Sequence, residues 1–207
     1  MADFGLYIIL SQPVISYTEA AKICVEEEIS CLQLREKELS DRELISIGRN
    51  ISQITSGTKT RLLINDRPDL ASIIRADGYH LGQDDIPFQE AEKIYPGASL
   101  RGISTHSIFQ AKTALKLKPD YIGFGPLHST PTKKIPDPVV GLQDLEEVLS
   151  FAPIPVVAIG GIDETNLETV LQAGARNICL VRYFMQHRNL KERIRKIKTV
   201  CQEYWRS

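Results

Sequence analysis

The chain has 207 residues, 43% of them hydrophobic and 25% charged, a size and balance expected of one globular domain spanning residues 1–207 with a full hydrophobic core. Its 25 Lys and Arg against 26 Asp and Glu give a net charge of −1, which excludes a global basic field for nucleic acid or an anionic membrane surface. A local anion site stays open, because a few backbone amides and two or three cations suffice to make one.

Along the chain, short apolar runs alternate with longer stretches of helical period. The first run, Phe4 to Leu10, is apolar almost throughout, as in a strand buried on both faces. Ser16 and Glu19 then form a capping-box pattern that opens a helix through Val25. The second strand is Ile29 to Arg35, and a second capping box, Ser40 with Glu43, opens a helix carrying Leu44, Ile47, Ile51 and Ile54 on one face. Arg61 to Asn65 is the third strand, and Pro68 fits the first turn of the helix after it. The fourth, Gly78 to Leu81, is brief, with Pro87 starting its helix.

Ser99 to Ile103 is strand five and Asp120 to Phe124 strand six, with a helix bearing Ile108, Ala111 and Leu115 between them. The longest loop, Pro126 to about Val140, is rich in Pro, Thr and Lys and has the length of a cover over a substrate. A helix with Leu142, Leu145 and Val148 leads to strand seven, Pro155 to Ile159. Asp163 is placed to cap a helix that ends at Gly174, strand eight runs from Asn177 to Val181, and the last helix carries Leu190, Ile194, Ile197 and Cys201. Eight β-then-α units imply a parallel sheet and favour a closed (β/α)8 TIM barrel, with an open doubly wound sheet as the alternative. No Gly-x-Gly-x-x-Gly follows the first strand, which counts against a dinucleotide site.

Cys24, Cys31, Cys179 and Cys201 form no Cys-x-x-Cys pair and are expected to be reduced and structural. Residues 1–4 lack a basic segment and a cleavage site, and no apolar run approaches the ~18 residues that span a bilayer, so a cytoplasmic protein without a membrane partner is expected. A homo-oligomer is compatible with the sequence.

In a barrel of this kind the active site lies where the strands end. Strand two delivers Gln33, Arg35 and Lys37 at alternate positions, which a period of two aims to one side as an anion cradle. Asn65-Asp66 after strand three and Gln83-Asp84-Asp85 after strand four bring carboxylates suited to Mg²⁺. Thr130, Thr132 and Lys133 in the long loop are phosphate donors, and Gly160-Gly161 after strand seven offer backbone amides. Ser104 is a further donor at the same mouth. Each feature alone also has an ordinary structural reading as a charged strand end, an acidic loop or a tight turn. Among the histidines, His80 reads as structural, His187 as a surface residue, and His128 as a candidate for acid–base chemistry in the loop. No His-Cys-Asp cluster suggests zinc, and no nucleophilic triad is evident.

Taken together, Gln33-Leu34-Arg35-Glu36-Lys37, Ile64-Asn65-Asp66-Arg67, Asp77 to Asp85, Gly102 to His106, Gly123 to Pro126, Thr130 to Lys133 and Ala158 to Ile162 resemble the thiamin-phosphate synthase family, in order and with matching spacing from about Leu6 to Val181. The resemblance implies a (β/α)8 barrel and a Mg²⁺-dependent transferase that joins hydroxymethylpyrimidine diphosphate to thiazole phosphate. It further implies that Asp66 and Asp85 hold Mg²⁺ and that Arg35, Lys37, Asn65 and Lys133 contact the diphosphate. Gln33 and Ser104 would lie near the pyrimidine, and Thr130, Thr132, Gly160 and Gly161 would hold phosphate groups. Catalysis would rest on Arg35, Lys37 and Lys133. One departure stands out: after strand eight the family usually has a small hydroxylated residue, whereas Val181 and Arg182 occupy the phosphate end here. Two other readings are thiazole tautomerases of the same superfamily and a non-catalytic phosphate-binding barrel. In tautomerases a catalytic histidine follows the Phe-Gly pair after strand six, where this chain has Pro126.

Overall fold

The computed structural model describes residues 3–129 and 138–205. The first half of the chain supplies β1 (Gly5–Leu10), α1 (Tyr17–Glu26), β2 (Cys31–Leu34), α2 (Asp41–Thr55), β3 (Arg61–Asn65), α3 (Pro68–Ile74), β4 (Gly78–Leu81) and α4 (Phe88–Ile94). The second half supplies β5 (Leu100–Thr105), α5 (Ile108–Lys116), β6 (Tyr121–Phe124), α6 (Gly141–Phe151), β7 (Val156–Ile159), α7 (Leu167–Gln172), β8 (Asn177–Cys179), α8 (Val181–Met185) and α9 (Leu190–Trp205). The strands close in chain order into an eight-stranded barrel, with β1 pairing β8 in parallel, so the open-sheet alternative is set aside.

The apolar strand runs arise because each strand is covered on both sides. Outward residues such as Ile8, Leu32, Ile64 and Ile122 pack against the helices in the larger core. Inward residues, among them Tyr7, Cys31, Leu63, Leu100, Tyr121 and Val157, fill the barrel itself. Helix starts follow the sequence signals. Ser16 Oγ accepts from the Glu19 amide, and Ser40 with Glu43 forms a complete capping box. Pro68 stands at the start of α3.

At the base, Asn177 closes the ring between the first and last strands. Its Oδ1 accepts from the Phe4 and Gly5 amides at 2.5 and 3.3 Å, while its Nδ2 donates to the Val156 carbonyl at 3.3 Å. The cysteines are free and buried, and burial pushes the Cys24 and Cys201 thiols up to about 12. Among the described residues no helix is long and apolar enough to cross a membrane.

Three local expectations change. Strand eight stops at Cys179, and Val181 begins the short helix α8, whose Tyr183, Phe184 and Met185 are all buried. Asp163 shapes the turn before α7 instead of capping that helix: its Oδ1 accepts from the Thr165 amide and hydroxyl at 2.8 and 2.6 Å. Strand five extends to Thr105, which puts Ser104 inside the sheet.

Candidate active site

A cavity of about 420 Å³ opens at the C-terminal mouth of the barrel. It gathers Gln33 and Arg35 from β2, Asn65 from β3, Ser104 from β5, Gly160 and Gly161 after β7, and Val181 and Arg182 from α8. These eight expected site residues therefore converge on one space. Thr130, Thr132 and Lys133 lie outside the described residues.

Lys37, Asp66 and Asp85 form a second group, which the cavity lining does not include. Because β2 ends at Leu34, the period of two no longer governs Lys37, which turns to pair with Asp66 at 3.3 Å while Arg35 faces the cavity. Asp66 adopts a left-handed backbone (φ 62°), a conformation that Asp tolerates better than most residues, and its amide donates to the His80 carbonyl at 2.8 Å. Asp85 accepts from the Gly82 amide at 2.6 Å and feels the Asp66 carboxyl nearby. Burial, reinforced by the Asp66 carboxyl, pushes Asp85 up to about 6. Two neighbouring carboxyls, one of them reluctant to ionise, fit a divalent ion that would relieve their repulsion. Among the described residues there is no group of three or more His, Cys, Asp and Glu able to hold a metal alone. The pair therefore suits Mg²⁺, which takes one or two carboxylates and completes its shell with phosphate oxygens and water.

The loops around Arg35 are pinned. Its amide donates to the Leu10 carbonyl at 2.9 Å, and neighbouring Glu36 accepts from the Gln12 amide at 2.6 Å and the Tyr17 hydroxyl at 2.7 Å. The β1–α1 connection is thus fastened to the start of the β2–α2 connection. Arg67 does the same for the loop carrying Asp66, reaching Asp41 at 2.8 Å and Asp69 at 2.7 Å.

Gly160 (φ 96°) and Gly161 (φ 66°) line the cavity in left-handed conformations. A Cβ on Gly160 would lie 2.4 Å from the Pro126 Cα, and one on Gly161 would lie 2.6 Å from the His128 carbonyl oxygen. The glycines thus admit the loop after β6, which bonds back through the Leu127 amide to Ile159 and the His128 amide to Gly160, both at 3.0 Å.

Among the histidines, His128 differs from expectation. His128 is not in the cavity lining; its carbonyl and Cβ pack against Gly161, and its buried Nε2 has no hydrogen-bond partner among the described residues. His80, His106 and His187 do line it, although His187 is also exposed. His106 Nδ1 lies 2.5 Å from the Gly125 carbonyl oxygen. Gln186 and His187 were hidden because the apolar run through Val181 conceals the turn into α8 that carries them to the mouth.

Residues 6–184 match the family described as thiamine monophosphate synthase. The thiamine-phosphate synthase of Caldicellulosiruptor saccharolyticus is 36% identical over 93% of this chain and 87% of its own length. That of Halalkalibacterium halodurans is 36% identical over 98% of each. Among solved structures, the thiamine phosphate pyrophosphorylase of Pyrococcus furiosus superimposes with a TM-score of 0.87 at 29% identity, covering 97% of this chain and 96% of the other. By the family match over residues 6–184 and by relatives sharing about a third of its residues over most of their length, this chain belongs to the thiamine monophosphate synthase family.

Proposed function

We propose that the chain joins hydroxymethylpyrimidine diphosphate to thiazole phosphate, giving thiamin phosphate and pyrophosphate, with Mg²⁺ as cofactor. The observation that carries this reading is the placement of Arg35, Asn65 and the Lys37–Asp66–Asp85 group at the ends of three successive strands, β2 to β4. Family membership and the names of the relatives support the same reaction.

The bond between the pyrimidine methylene carbon and the diphosphate oxygen breaks with its electron pair passing to pyrophosphate. The thiazole nitrogen then closes a C–N bond on the resulting pyrimidine-methyl cation. No general base or covalent nucleophile is needed, in keeping with a mouth that carries cations and donors but no triad. Asp66 and Asp85 would hold the Mg²⁺, which supplies positive charge to the leaving group. Arg35 and Lys37 add fixed positive charge where negative charge develops, the arrangement that lowers a barrier most. Lys133, Thr130 and Thr132 would supply phosphate donors, with the Gly160–Gly161 amides and Arg182 at the thiazole phosphate end. A cavity of about 420 Å³ falls within the size range of small-molecule sites.

The test is a product assay on purified protein with both substrates and Mg²⁺. Pyrophosphate and thiamin phosphate in equal amounts are the expected result. Isomerisation of thiazole phosphate in EDTA without thiamin phosphate would replace the proposal with a tautomerase. Binding without turnover would replace it with a regulatory barrel. Pro126 after Phe124-Gly125 and the intact Asp66–Asp85 pair both oppose the tautomerase reading.

A further inference from the structure

Beneath the cavity an unbroken hydrogen-bonded chain crosses the barrel. Gln33 Nε2 donates to the Tyr7 hydroxyl at 2.7 Å, and the Tyr7 and Tyr121 hydroxyls lie 2.7 Å apart. The Tyr121 hydroxyl lies 2.8 Å from His80 Nδ1, and His80 Nε2 lies 2.8 Å from Ser104 Oγ. Both ends of this chain, Gln33 and Ser104, line the cavity. Its middle is dry: Tyr7 is 2% exposed and Tyr121 1%.

Register builds the relay. His80 on β4 pairs with Gly102 on β5, which pairs with Tyr121 on β6. A Cβ on Gly102 would stand 2.1 Å from Tyr121 Cζ and 2.4 Å from its hydroxyl oxygen, so the missing side chain is the space that the tyrosine occupies. Tyr121 also stacks on His80, with ring centroids 5.5 Å apart and an interplanar angle of 29°. The Ser104 end is held separately, since Gln83 Nε2 donates to the Ser104 carbonyl at 2.6 Å.

Direction follows from counting protons. Burial raises both tyrosines well above their ordinary value, so each hydroxyl keeps its one proton. With the Gln33 amide as donor, Tyr7 passes its proton toward Tyr121 and Tyr121 toward His80 Nδ1. The imidazole is then the Nε2–H tautomer and donates to Ser104 Oγ, leaving the serine proton for a ligand. At the other end the Gln33 amide, oriented by its Nε2–H bond to Tyr7, offers Oε1.

We infer that Tyr7, Tyr121 and His80 are positioning residues that fix the polarity of the pyrimidine subsite, holding Gln33 as acceptor and Ser104 as donor. This rests on the proposed reaction, in which Gln33 and Ser104 face the pyrimidine. An aminopyrimidine edge, with an N–H donor beside a ring-nitrogen acceptor, complements that pair. The corresponding oxopyrimidine edge reverses both partners and meets acceptor with acceptor and donor with donor. The site therefore selects the amino form by repulsion of its alternative as well as by attraction.

The experiment compares Tyr121→Phe and Tyr7→Phe with Gln33→Ala and Ser104→Ala. It measures KM and kcat for the amino substrate and for its oxo analogue, and reads the His80 tautomer from ¹⁵N shifts in the unmodified protein. Tyr121→Phe is expected to raise KM for the pyrimidine diphosphate about tenfold and cut amino-over-oxo discrimination about tenfold, the worth of one aligned polar contact. KM for thiazole phosphate should be unchanged and kcat should stay within about threefold, a split that loss of folded protein would not produce. Tyr7→Phe severs the same chain one link away and should act alike, which keeps the test valid if one variant does not fold. Unchanged discrimination in both Phe variants, with loss in Gln33→Ala, would overturn the relay and leave the pyrimidine placement intact. Unchanged KM in Gln33→Ala and Ser104→Ala would overturn the placement itself and the inference with it. An Nδ1–H tautomer at His80 would overturn the assigned polarity.

Discussion

Replacing Gly102 by alanine probes a crowded point of the barrel interior. The added Cβ would lie 2.1 Å from Tyr121 Cζ, whereas side-chain carbons essentially never approach other heavy atoms within 3.0 Å. The ring therefore has to retreat by about an ångström in a layer packed at interior density. It has little room, because Phe4 lies 5.3 Å away, Tyr7 5.7 Å and His80 5.5 Å between ring centroids. Overpacking of this kind costs ~1–3 kcal/mol. Stretching the bonds from Tyr121 to Tyr7 and His80 adds ~1 kcal/mol for each one lost. A destabilisation of about 3 kcal/mol should lower Tm by ~6–12 °C in a protein of this size. Urea and thermal unfolding followed by circular dichroism measure it, with Tyr121→Ala as the background that removes the obstruction. In that background Gly102→Ala should cost almost nothing. A single variant within ~0.5 kcal/mol of the parent, or a cost that persists without the Tyr121 ring, would refute the packing argument.

Three further outcomes are expected. Asp66→Asn should abolish Mg²⁺-dependent turnover while leaving the unfolding midpoint in EDTA near that of the parent; unchanged turnover would remove Asp66 from the metal site. Asn177→Leu should destabilise the barrel by ~2–4 kcal/mol, because the Phe4 amide and Val156 carbonyl lose a buried partner, and denaturant melts would show it. Arg67→Met should flatten the acid limb of the stability–pH curve. The Arg67 guanidinium holds Asp69 below its ordinary range, so the contribution is present above the unfolded value near ~4 and is lost as pH falls through the lower folded value. The effect is small because Asp69 is 44% exposed, and an acid limb identical to the parent's would contradict it.

The fold was legible because local signals and the global arrangement agree. Ser40 and Glu43 cap α2 as the motif implies, and the apolar runs fall on strands covered on both faces. The same uniform burial hid the rest. In a run such as Ile178 to Val181 no alternation marks where a strand ends, so α8 and the cavity residues Gln186 and His187 beyond it were not visible. Lys37 was misdirected for a related reason, since alternation applies only up to Leu34. Tyr7, His80 and Tyr121 are far apart in the chain, and each looks like a strand residue. Only barrel register, with His80 beside Gly102 and Gly102 beside Tyr121, joins them into one path. Asp66 and Asp85 were identifiable as acids at neighbouring strand ends, but the rise of Asp85 depends on burial that sequence does not state.

The central claim is that a divalent ion and fixed cations meet at one rim to receive a departing pyrophosphate. A crystal structure with Mg²⁺ and pyrophosphate tests it most directly. The account predicts the ion between Asp66 and Asp85, with pyrophosphate oxygens bridging it to Arg35 and Lys37. Pyrophosphate bound elsewhere on the barrel, with no ion at Asp66 and Asp85, would contradict it.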